Sequence, residues 1–305
     1  MSLTLTVHRG AREIGGSCIE IAHPGGERLV LDAGRPLDAP EGATGLLPPT
    51  LDRSRPATVL FSHAHQDHWG LIDEVPEGWE LRAGRNAAKL IELTGEVRQR
   101  PLRRQITAWD SRSGAFRIGP FRVTPILTDH SAFDAYMLLI EADGRRILYS
   151  GDFRLHGRKS ILVERMMSRP PRDIDILILE GTNLGTDKPC QTERALEDDF
   201  VSLFRRVLGR VFVTWSGQNI YRTVTLYRAA KRTGRRSVLD LYTADVMSGS
   251  ETAPACLGSA QASTTLPLRS PRGCGRSMAS ARGTLGLAAW PPREPPLATC
   301  ETTMW

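Results

Sequence analysis

Four side chains of metal-binding type lie within six residues of this chain, at positions 63–68. They follow the apolar run ATVLF and are His63, His65, Asp67 and His68. Imidazole and carboxylate groups are the ligands that Zn²⁺ and similar ions require. The spacing differs from the i, i+4 pair of a helical zinc site, and it favours a loop at the carboxyl end of a buried strand. Such a loop can hold an ion only if the fold brings further ligands to it.

Three other ionisable residues end apolar strands in the same way. Asp32 follows LVL, His130 ends FRVTPILTDH, and Asp152 ends RRILYSGD. An Asp at such a position is often only a turn former, but a site for two ions needs about this many donors. Two cations roughly 3.5–4 Å apart can share a hydroxide and lower its pKa towards neutrality. In this hypothesis Asp152 bridges the ions and Asp32 is an orienting carboxylate.

The hydrophobic pattern predicts an N-terminal part made mainly of strands. Strands are expected at 3–7, 17–22, 28–34, 57–63, 121–130, 136–142, 145–152 and 173–182, with a helix at 86–95 that ends at Gly95. ADG at 142–144 predicts a tight hairpin turn. Further along, helices at 191–209 and 218–232 alternate with strands at 211–215 and 236–242, which indicates a βαβ unit with a parallel sheet.

The chain changes character from about residue 248, in what should be the middle of a helix. Residues 248–305 are rich in Ala, Ser, Thr, Pro, Gly and Arg and show no hydrophobic periodicity. A segment of this kind cannot bury enough apolar surface to offset its ordering entropy. We therefore expect this tail to be disordered or translated out of frame.

The motifs around residues 63–68 resemble the HxHxDH signature of the metallo-β-lactamase superfamily. By this resemblance Asp32 is the first-motif Asp, His130 the third-motif His and Asp152 the fourth-motif Asp. The resemblance implies that His63, His65 and His130 hold one ion, that Asp67 and His68 hold the other, and that Asp152 bridges. It also implies the superfamily's αββα sandwich over residues 1–185.

The next segment is similar to the beta-CASP nucleases within that superfamily. LILEGTNLG at 177–185 resembles their opening motif, whose acidic residue would be Glu180, and residues 211–246 look like the first part of a beta-CASP domain. The implied fold is α+β: an incomplete metallo-β-lactamase sandwich followed by a partial α/β beta-CASP domain at 186–247. The implied function is that of a ribonuclease-J-like hydrolase, with Asp32, Asp67 and Glu180 as catalytic residues.

The sequence departs from this family in one respect. The family carries two further His-containing motifs after the beta-CASP insertion, whereas this chain has no histidine after His156. The second ion would then have only Asp67, His68 and Asp152, and should bind more weakly. A frameshift near codon 247 is the hypothesis, which translation of the other two reading frames would test. His8, His23 and His156 itself are interpreted as structural or surface residues.

The formal net charge of +6 suits a polyanionic partner, although a solvated basic surface accounts for it equally well. Arginines and one lysine between 205 and 236 could hold a nucleic-acid backbone. Tyr221 and Tyr227 could stack on bases, but their spacing favours packing of a helix. The resemblance implies Zn²⁺, with Mn²⁺ or Mg²⁺ possible, RNA as partner and a homodimer. No signal segment or membrane span is apparent, so a cytoplasmic location is expected.

Three functions remain open from the sequence. The first is a metal-dependent ribonuclease that uses a water activated by two ions. The second is a hydrolase of the same fold that acts on small esters, thioesters or lactams, against which the basic segment argues. The third is a truncated fragment that binds metal but is catalytically inactive, which the missing histidine motifs favour.

Overall fold

The computed structural model describes residues 2–249, except for residues 113 and 188. The tail predicted from residue 248 lies outside the described residues apart from its first two positions, which end a helix. In the described part of the chain, no helix has both the length and the apolar character needed to cross a membrane.

Six strands form the first sheet, in which sequence order and spatial order agree. They are β1 (Thr4–Arg9), β2 (Cys18–Ala22), β3 (Arg28–Leu31), β4 (Thr58–Phe61), β5 (Glu80–Gly84) and β6 (Ile106–Trp109). The first three strands form the predicted antiparallel meander, and β3 to β6 run parallel to one another. Because parallel strands end at the same edge, β3 and β4 both deliver their following loops to one side of the molecule.

Five strands form the second sheet, in the order β11-β10-β9-β8-β7. They are β7 (Phe116–Ile118), β8 (Phe121–Leu127), β9 (Tyr136–Ala142), β10 (Arg145–Tyr149) and β11 (Ile176–Ile178). The hairpin predicted at 142–144 joins β9 to β10. Asp143 and Gly144 there have φ of +49° and +73°, the left-handed pair that a tight two-residue turn requires.

Six α-helices and a short 3-10 helix complete the described part of the chain. They are α1 (Gln66–Trp69), the 3-10 helix (Ile72–Glu74), α2 (Arg85–Val97), α3 (Ser160–Ser168), α4 (Glu193–Arg206), α5 (Ile220–Arg232) and α6 (Leu241–Gly249). The predicted end of a helix at Gly95 is wrong, since α2 continues to Val97. Gly95 instead allows the backbone of Arg100 to approach α2 closely, because a Cβ at position 95 would lie 2.8 Å from the carbonyl oxygen of Arg100.

Both sheets are covered on both faces, which gives four layers in the order α-β-β-α. Successive strand side chains point to opposite faces, so Leu29 and Leu31 of β3 enter the core between the sheets while Val30 packs on the helical side. The core between the sheets combines these residues with Phe121 and Leu138 of the second sheet. The outer face of the first sheet packs on α2, α5 and α6, and that of the second on α3. This arrangement confirms the predicted α+β sandwich.

The strand predicted at 211–215 is wrong as a strand, although the segment has the expected alternation. Val211, Val213 and Trp215 pack against the cluster between α4 and α5, whereas Phe212 is 90% exposed. A strand needs a hydrogen-bonded neighbour, and the segment pairs with no strand within residues 2–249.

The strand predicted at 236–242 is also wrong, and so is the parallel sheet that it implied. Asp240 accepts hydrogen bonds from the backbone N–H and hydroxyl of Thr243, at 2.9 and 2.7 Å. A carboxylate in this position caps a helix N-terminus. The chain therefore turns into α6 at Leu241, and the residues before it lie without a described sheet partner.

Candidate metal centre

Loops from both sheets meet at one edge of the sandwich. β3 and β4 are parallel, and β8 and β10 both run antiparallel to β9, so that each pair ends on the same side. Asp32 follows β3, residues 62–68 follow β4, His130 follows β8, and Asp152 follows β10. The sequence predicted ionisable residues at these four strand ends, and the fold brings them together.

Backbone hydrogen bonds hold the loop that carries the histidines. The N–H groups of Ser17, Ala33 and Arg35 donate to the carbonyl oxygens of Asp67, His68 and Gln66, at 3.1, 2.8 and 3.0 Å. The contact requires glycine at position 34, where a Cβ would lie 1.6 Å from the carbonyl oxygen of Asp67. The loop is therefore fixed by main-chain contacts that leave its side chains free for other partners.

The first set of donors consists of three imidazoles. Ligand atoms of His63, His65 and His130 lie within 4.8 Å of one another. The Nε2 of His130 is 3.1 Å from the Nδ1 of His65. The Nε2 of His63 is buried and has no hydrogen-bond partner among the described residues. A buried nitrogen without a partner costs free energy, and a bound cation would satisfy it.

The second set shares His63 with the first. His63, His68 and Asp152 also offer ligand atoms within 4.8 Å of one another. The Nε2 of His68 lies 3.5 Å from an oxygen of Asp152 and 3.6 Å from an oxygen of Asp67. The same Asp152 oxygen is 3.9 Å from the Nε2 of His130. Asp152 therefore lies between the two sets, where a bridging carboxylate would have to be.

Asp32 lies behind the donors and is fully buried. It accepts hydrogen bonds from Ser62, whose backbone N–H and hydroxyl are 2.7 and 2.9 Å away. It also contacts the Nδ1 of His68 at 2.8 Å and accepts from the hydroxyl of Tyr149 at 2.5 Å. The sequence reasoning missed Ser62 and Tyr149. Each ends a buried strand, where hydroxyl and aromatic residues are common, so no signal in the sequence distinguishes them.

The three imidazoles of the first set favour the neutral form. Burial disfavours the charged imidazolium and lowers the pKa of His63 and His130 well below the ordinary value, and it lowers that of His65 as well. Neighbouring histidines add to the effect on His63 and His130. A neutral imidazole has a lone pair for a cation, so these side chains are ready to bind an ion without releasing a proton.

Two carboxylates flank His68. Burial acts to lower the pKa of His68, but Asp32 and Asp152 outweigh burial and raise it well above the ordinary value. Burial acts to raise the pKa of Asp152, but the hydrogen bond with His68 and the nearby histidines lower it to about 2. The first set therefore offers neutral imidazoles and Asp152 an ionised carboxylate, a combination that fits a divalent cation. His68 would have to release a proton to bind one.

Glu180 supports the site from outside the donor sets. Its carboxylate accepts from the backbone N–H of Phe153 at 2.8 Å, and its own N–H donates to the hydroxyl of Ser150 at 3.0 Å. Burial raises the pKa of Glu180. Glu180, which the sequence predicted as catalytic, thus forms hydrogen bonds with residues on both sides of Asp152.

A chain of buried charges links the site loops to α4 and α5. Arg154 lies 3.3 Å from the buried carboxylate of Asp129, next to His130, and 3.9 Å from Glu193 of α4. Glu193 in turn contacts Arg222 of α5 at 3.1 Å. Sequence reasoning did not single out Asp129 or Arg154, although they lie one residue before His130 and two residues after Asp152.

The cationic residues proposed for nucleic-acid binding divide into two groups. Arg222, Arg232 and Arg235 contact carboxylates or carbonyl oxygens of α4 and the segment after it, and so they have structural partners. The others are exposed, and they are Arg205, Arg206, Arg210, Arg228, Lys231 and Arg236. Tyr221 is buried against Phe133, as its helical spacing predicted.

His8, His23 and His156 lie outside both donor sets. His8 contacts Glu20 at 2.9 Å, His23 contacts Asp143 at 2.9 Å, and His156 lies 3.8 Å from the sulfur of Cys190. Their interpretation as structural or surface residues agrees with these contacts.

Three curated or solved proteins illustrate what the chain is similar to. The ribonuclease J of Helicobacter pylori (strain ATCC 700392 / 26695) is 26% identical over 234 residues, which cover 72% of this chain and 34% of that protein. Endoribonuclease YSH1 of Mycosarcoma maydis is 27% identical over 261 residues, which cover 75% and 29%. The chain thus spans about a third of the length of the curated relatives it matches. A crystal structure of a protein of unknown function from Enterococcus faecalis V583 is similar in fold, with a TM-score of 0.69 at 20% identity, covering 80% of this chain and 66% of that one.

The Metallo-beta-lactamase superfamily model matches residues 11–189. This match covers more than half of the chain, and it includes both sheets except for β1, all of the donor residues and the buried Asp32. The four-layer fold and the strand-end site agree with it, and the chain belongs to the metallo-beta-lactamase superfamily.

Proposed function

We propose that this protein is a metal-dependent hydrolase that cleaves RNA phosphodiester bonds. The observation that carries the proposal is the convergence of two donor sets that share His63 at the edge of the sandwich. RNA as the substrate class is supported by the relatives named ribonuclease J and endoribonuclease. In this proposal the protein acts in the cytoplasm.

Bound divalent cations, Zn²⁺ or alternatively Mn²⁺ or Mg²⁺, supply Lewis acidity that acidifies water and polarises a phosphoryl oxygen. His63, His65 and His130 would hold one ion, Asp67 and His68 the other, and Asp152 both. The side chain of Asp67 is 18% exposed and that of Asp152 is 23% exposed, against 2% for His68. Because Asp152 would hold both ions, we assign Asp67, whose carboxylate lies 3.6 Å from the Nε2 of His68, to accept a proton from the attacking water.

Residues 186–247 form the first part of a beta-CASP domain in this proposal. The match to ribonuclease J extends over 72% of the chain, further than the 11–189 segment of the superfamily match. Exposed cations on and beside α4 and α5 would contact the phosphate backbone, since such contacts supply most of the affinity for single strands. The charged contacts from Arg154 to Glu193 connect this module to the site loops.

Cleavage of labelled RNA by the full 305-residue chain tests the proposal. Asp67→Ala and His65→Ala are expected to abolish cleavage that depends on an added divalent cation. His23→Ala is the matched control, since His23 contacts Asp143 away from the donor sets. Retained cleavage in both site variants would refute the assignment of the site.

A parallel assay with a small ester or thioester separates the proposal from the other hydrolase functions of the same fold. Turnover of the ester without cleavage of RNA would replace the proposed substrate class and leave the metal centre in place.

A second candidate is a protein that binds metal without cleaving RNA. It is favoured by the absence of any histidine after His156, so that the later residues add no imidazole to the second donor set. Its signature would be one bound ion per chain by metal analysis and no RNA cleavage.

A further inference from the structure

Ser62 lies between the buried carboxylate and the histidine that both donor sets share. Ser62, Asp32 and His63 are all fully buried. The hydroxyl oxygen of Ser62 is 2.9 Å from an Asp32 oxygen and 3.0 Å from the Nδ1 of His63. The backbone N–H of Ser62 donates to the other Asp32 oxygen at 2.7 Å, which fixes the serine relative to the carboxylate.

The number of protons available decides the direction of these hydrogen bonds. A carboxylate can only accept, and a serine hydroxyl has one proton, so Ser62 donates that proton to Asp32. Towards His63 the hydroxyl oxygen can then only accept. The contact therefore requires a proton on the Nδ1 of His63, and a neutral imidazole protonated there has its lone pair on Nε2. That Nε2 is the buried nitrogen without a partner in the described part of the chain.

We propose that Ser62 is a positioning residue that holds His63 in the Nδ1-protonated tautomer and so presents the Nε2 lone pair to the ion of the first donor set. The inference rests on the proposed function, because it assigns His63 as a metal ligand. Asp32 thereby acts on two histidines, on His68 by direct contact and on His63 through the hydroxyl of Ser62.

The tautomer matters because a neutral imidazole has one lone pair for an ion, and the proposed function assigns His63 to the ion held with His65 and His130. In the other tautomer the Nε2 would carry a hydrogen and could not bind that ion. Groups that orient a metal-ligating histidine typically contribute about 10- to 100-fold to metal affinity. A single hydroxyl group behind the site thus controls one of the three imidazoles of the first donor set.

Nitrogen NMR of the metal-free full chain, labelled with ¹⁵N-histidine, measures the tautomer directly. The His63 signals are assigned by their loss in His63→Asn. In the wild type we expect His63 to be protonated on Nδ1 and unprotonated on Nε2. The proposal is overturned if the wild-type His63 carries its proton on Nε2.

Ser62→Ala removes the acceptor and is expected to move His63 towards the Nε2-protonated tautomer. Tyr149→Phe is the matched control, because it removes a different donor to the same Asp32 oxygen, and the His63 tautomer should stay as in the wild type. An unchanged His63 spectrum in Ser62→Ala, or an equal change in both variants, would contradict the proposal.

Competition for Zn²⁺ with a chromophoric chelator gives a second measurement. Ser62→Ala is expected to weaken the tighter site by about 10- to 100-fold, with thermal unfolding of the metal-free protein as the control for folding. Unchanged affinity in a folded Ser62→Ala variant would contradict the proposal. Failure of RNA cleavage, by contrast, would refute the proposed function and leave the NMR result for His63 standing.

Discussion

At the scale of single residues, Asp32 shows how much of the site depends on a side chain outside the donor sets. It has a φ of +61°, a conformation that Asp adopts more readily than most residues. Its two oxygens accept from Ser62, His68 and Tyr149. The orienting role predicted for Asp32 from the sequence stays a prediction, but these contacts give it a physical basis.

Asp32→Ala is expected to lower the free energy of unfolding of the metal-free protein by about 3–5 kcal/mol, the usual cost of removing one partner from a buried charged contact. The cause is the loss of the acceptor for three buried side chains. Urea unfolding at neutral pH measures the change. Asp38→Ala is the control, because Asp38 is exposed and its loss should change the free energy by less than about 0.5 kcal/mol. Equal stability of the two variants would contradict the prediction.

The donor residues could be predicted because each one interrupts an apolar strand pattern. Asp152 follows the buried end of β10, and His130 follows β8, whose side chains alternate between buried and more exposed positions. Ser62 and Tyr149 could not be predicted in this way, because small hydroxyl and aromatic residues commonly end strands. Their role appears only when two strands distant in sequence bring them to the same carboxylate.

At the scale of secondary structure elements, the sequence predicted central strands such as β4 and β9 and also the edge strand β1. It did not predict β5, although β5 has a neighbour on each side. β4 and β9 are buried on both faces, and their continuous apolar runs identify them. The segment at 211–215 has a similar apolar content and yet forms no ladder in the described part of the chain. The apolar pattern of a short segment indicates whether its side chains are buried. It does not indicate whether another strand lies beside the segment to form hydrogen bonds with it.

The junction of α4 and α5 depends on Glu193, which is 1% exposed. Burial acts to raise the pKa of Glu193, but hydrogen bonds from Arg222 and Thr225 outweigh it and lower the pKa below its ordinary value of 4.5. A carboxylate with a lowered pKa in the folded state stabilises the fold above the unfolded pKa and loses this effect as the pH falls through the folded value.

Glu193→Gln should therefore destabilise the protein most at neutral pH, by about 1–3 kcal/mol. The difference from the wild type should shrink as the pH falls below 4.5, because the wild-type carboxyl group then becomes protonated as well. Urea unfolding of both proteins at pH 7 and at about pH 3 measures this. Glu164→Gln, at an exposed position of α3, is the control, and a Glu193→Gln effect that is the same at both pH values would contradict the prediction.

At the scale of the whole molecule, one edge of the second sheet has no strand partner within residues 2–249. Within residues 2–249, β11 pairs with β10 on one side only. Ile176, Leu177 and Leu179 at this edge are 41%, 56% and 58% exposed. A strand edge of apolar residues is a template for pairing with another chain.

Introducing charged side chains at this strand edge should reduce self-association of the protein. Leu177→Lys combined with Leu179→Lys is expected to lower the sedimentation-average mass at high protein concentration, because charged side chains on an edge strand oppose pairing. Analytical ultracentrifugation measures it and also tests the homodimer that the family resemblance implies. Met167→Lys is the control, since Met167 is 65% exposed on a helix. If both variants associate to the same extent, the edge is not the contact.

The separation of the donors along the chain has a consequence for biosynthesis. His65 and His130 are 65 residues apart and come within 3.1 Å only when the two sheets have docked. Closing loops of this length before the core forms carries an entropy cost without compensating contacts. In the proposed metal centre, a nascent chain leaving the ribosome therefore cannot assemble the three-imidazole set until His130 has emerged and the two sheets have docked. Metal binding by this set would then report that both sheets have formed and packed together.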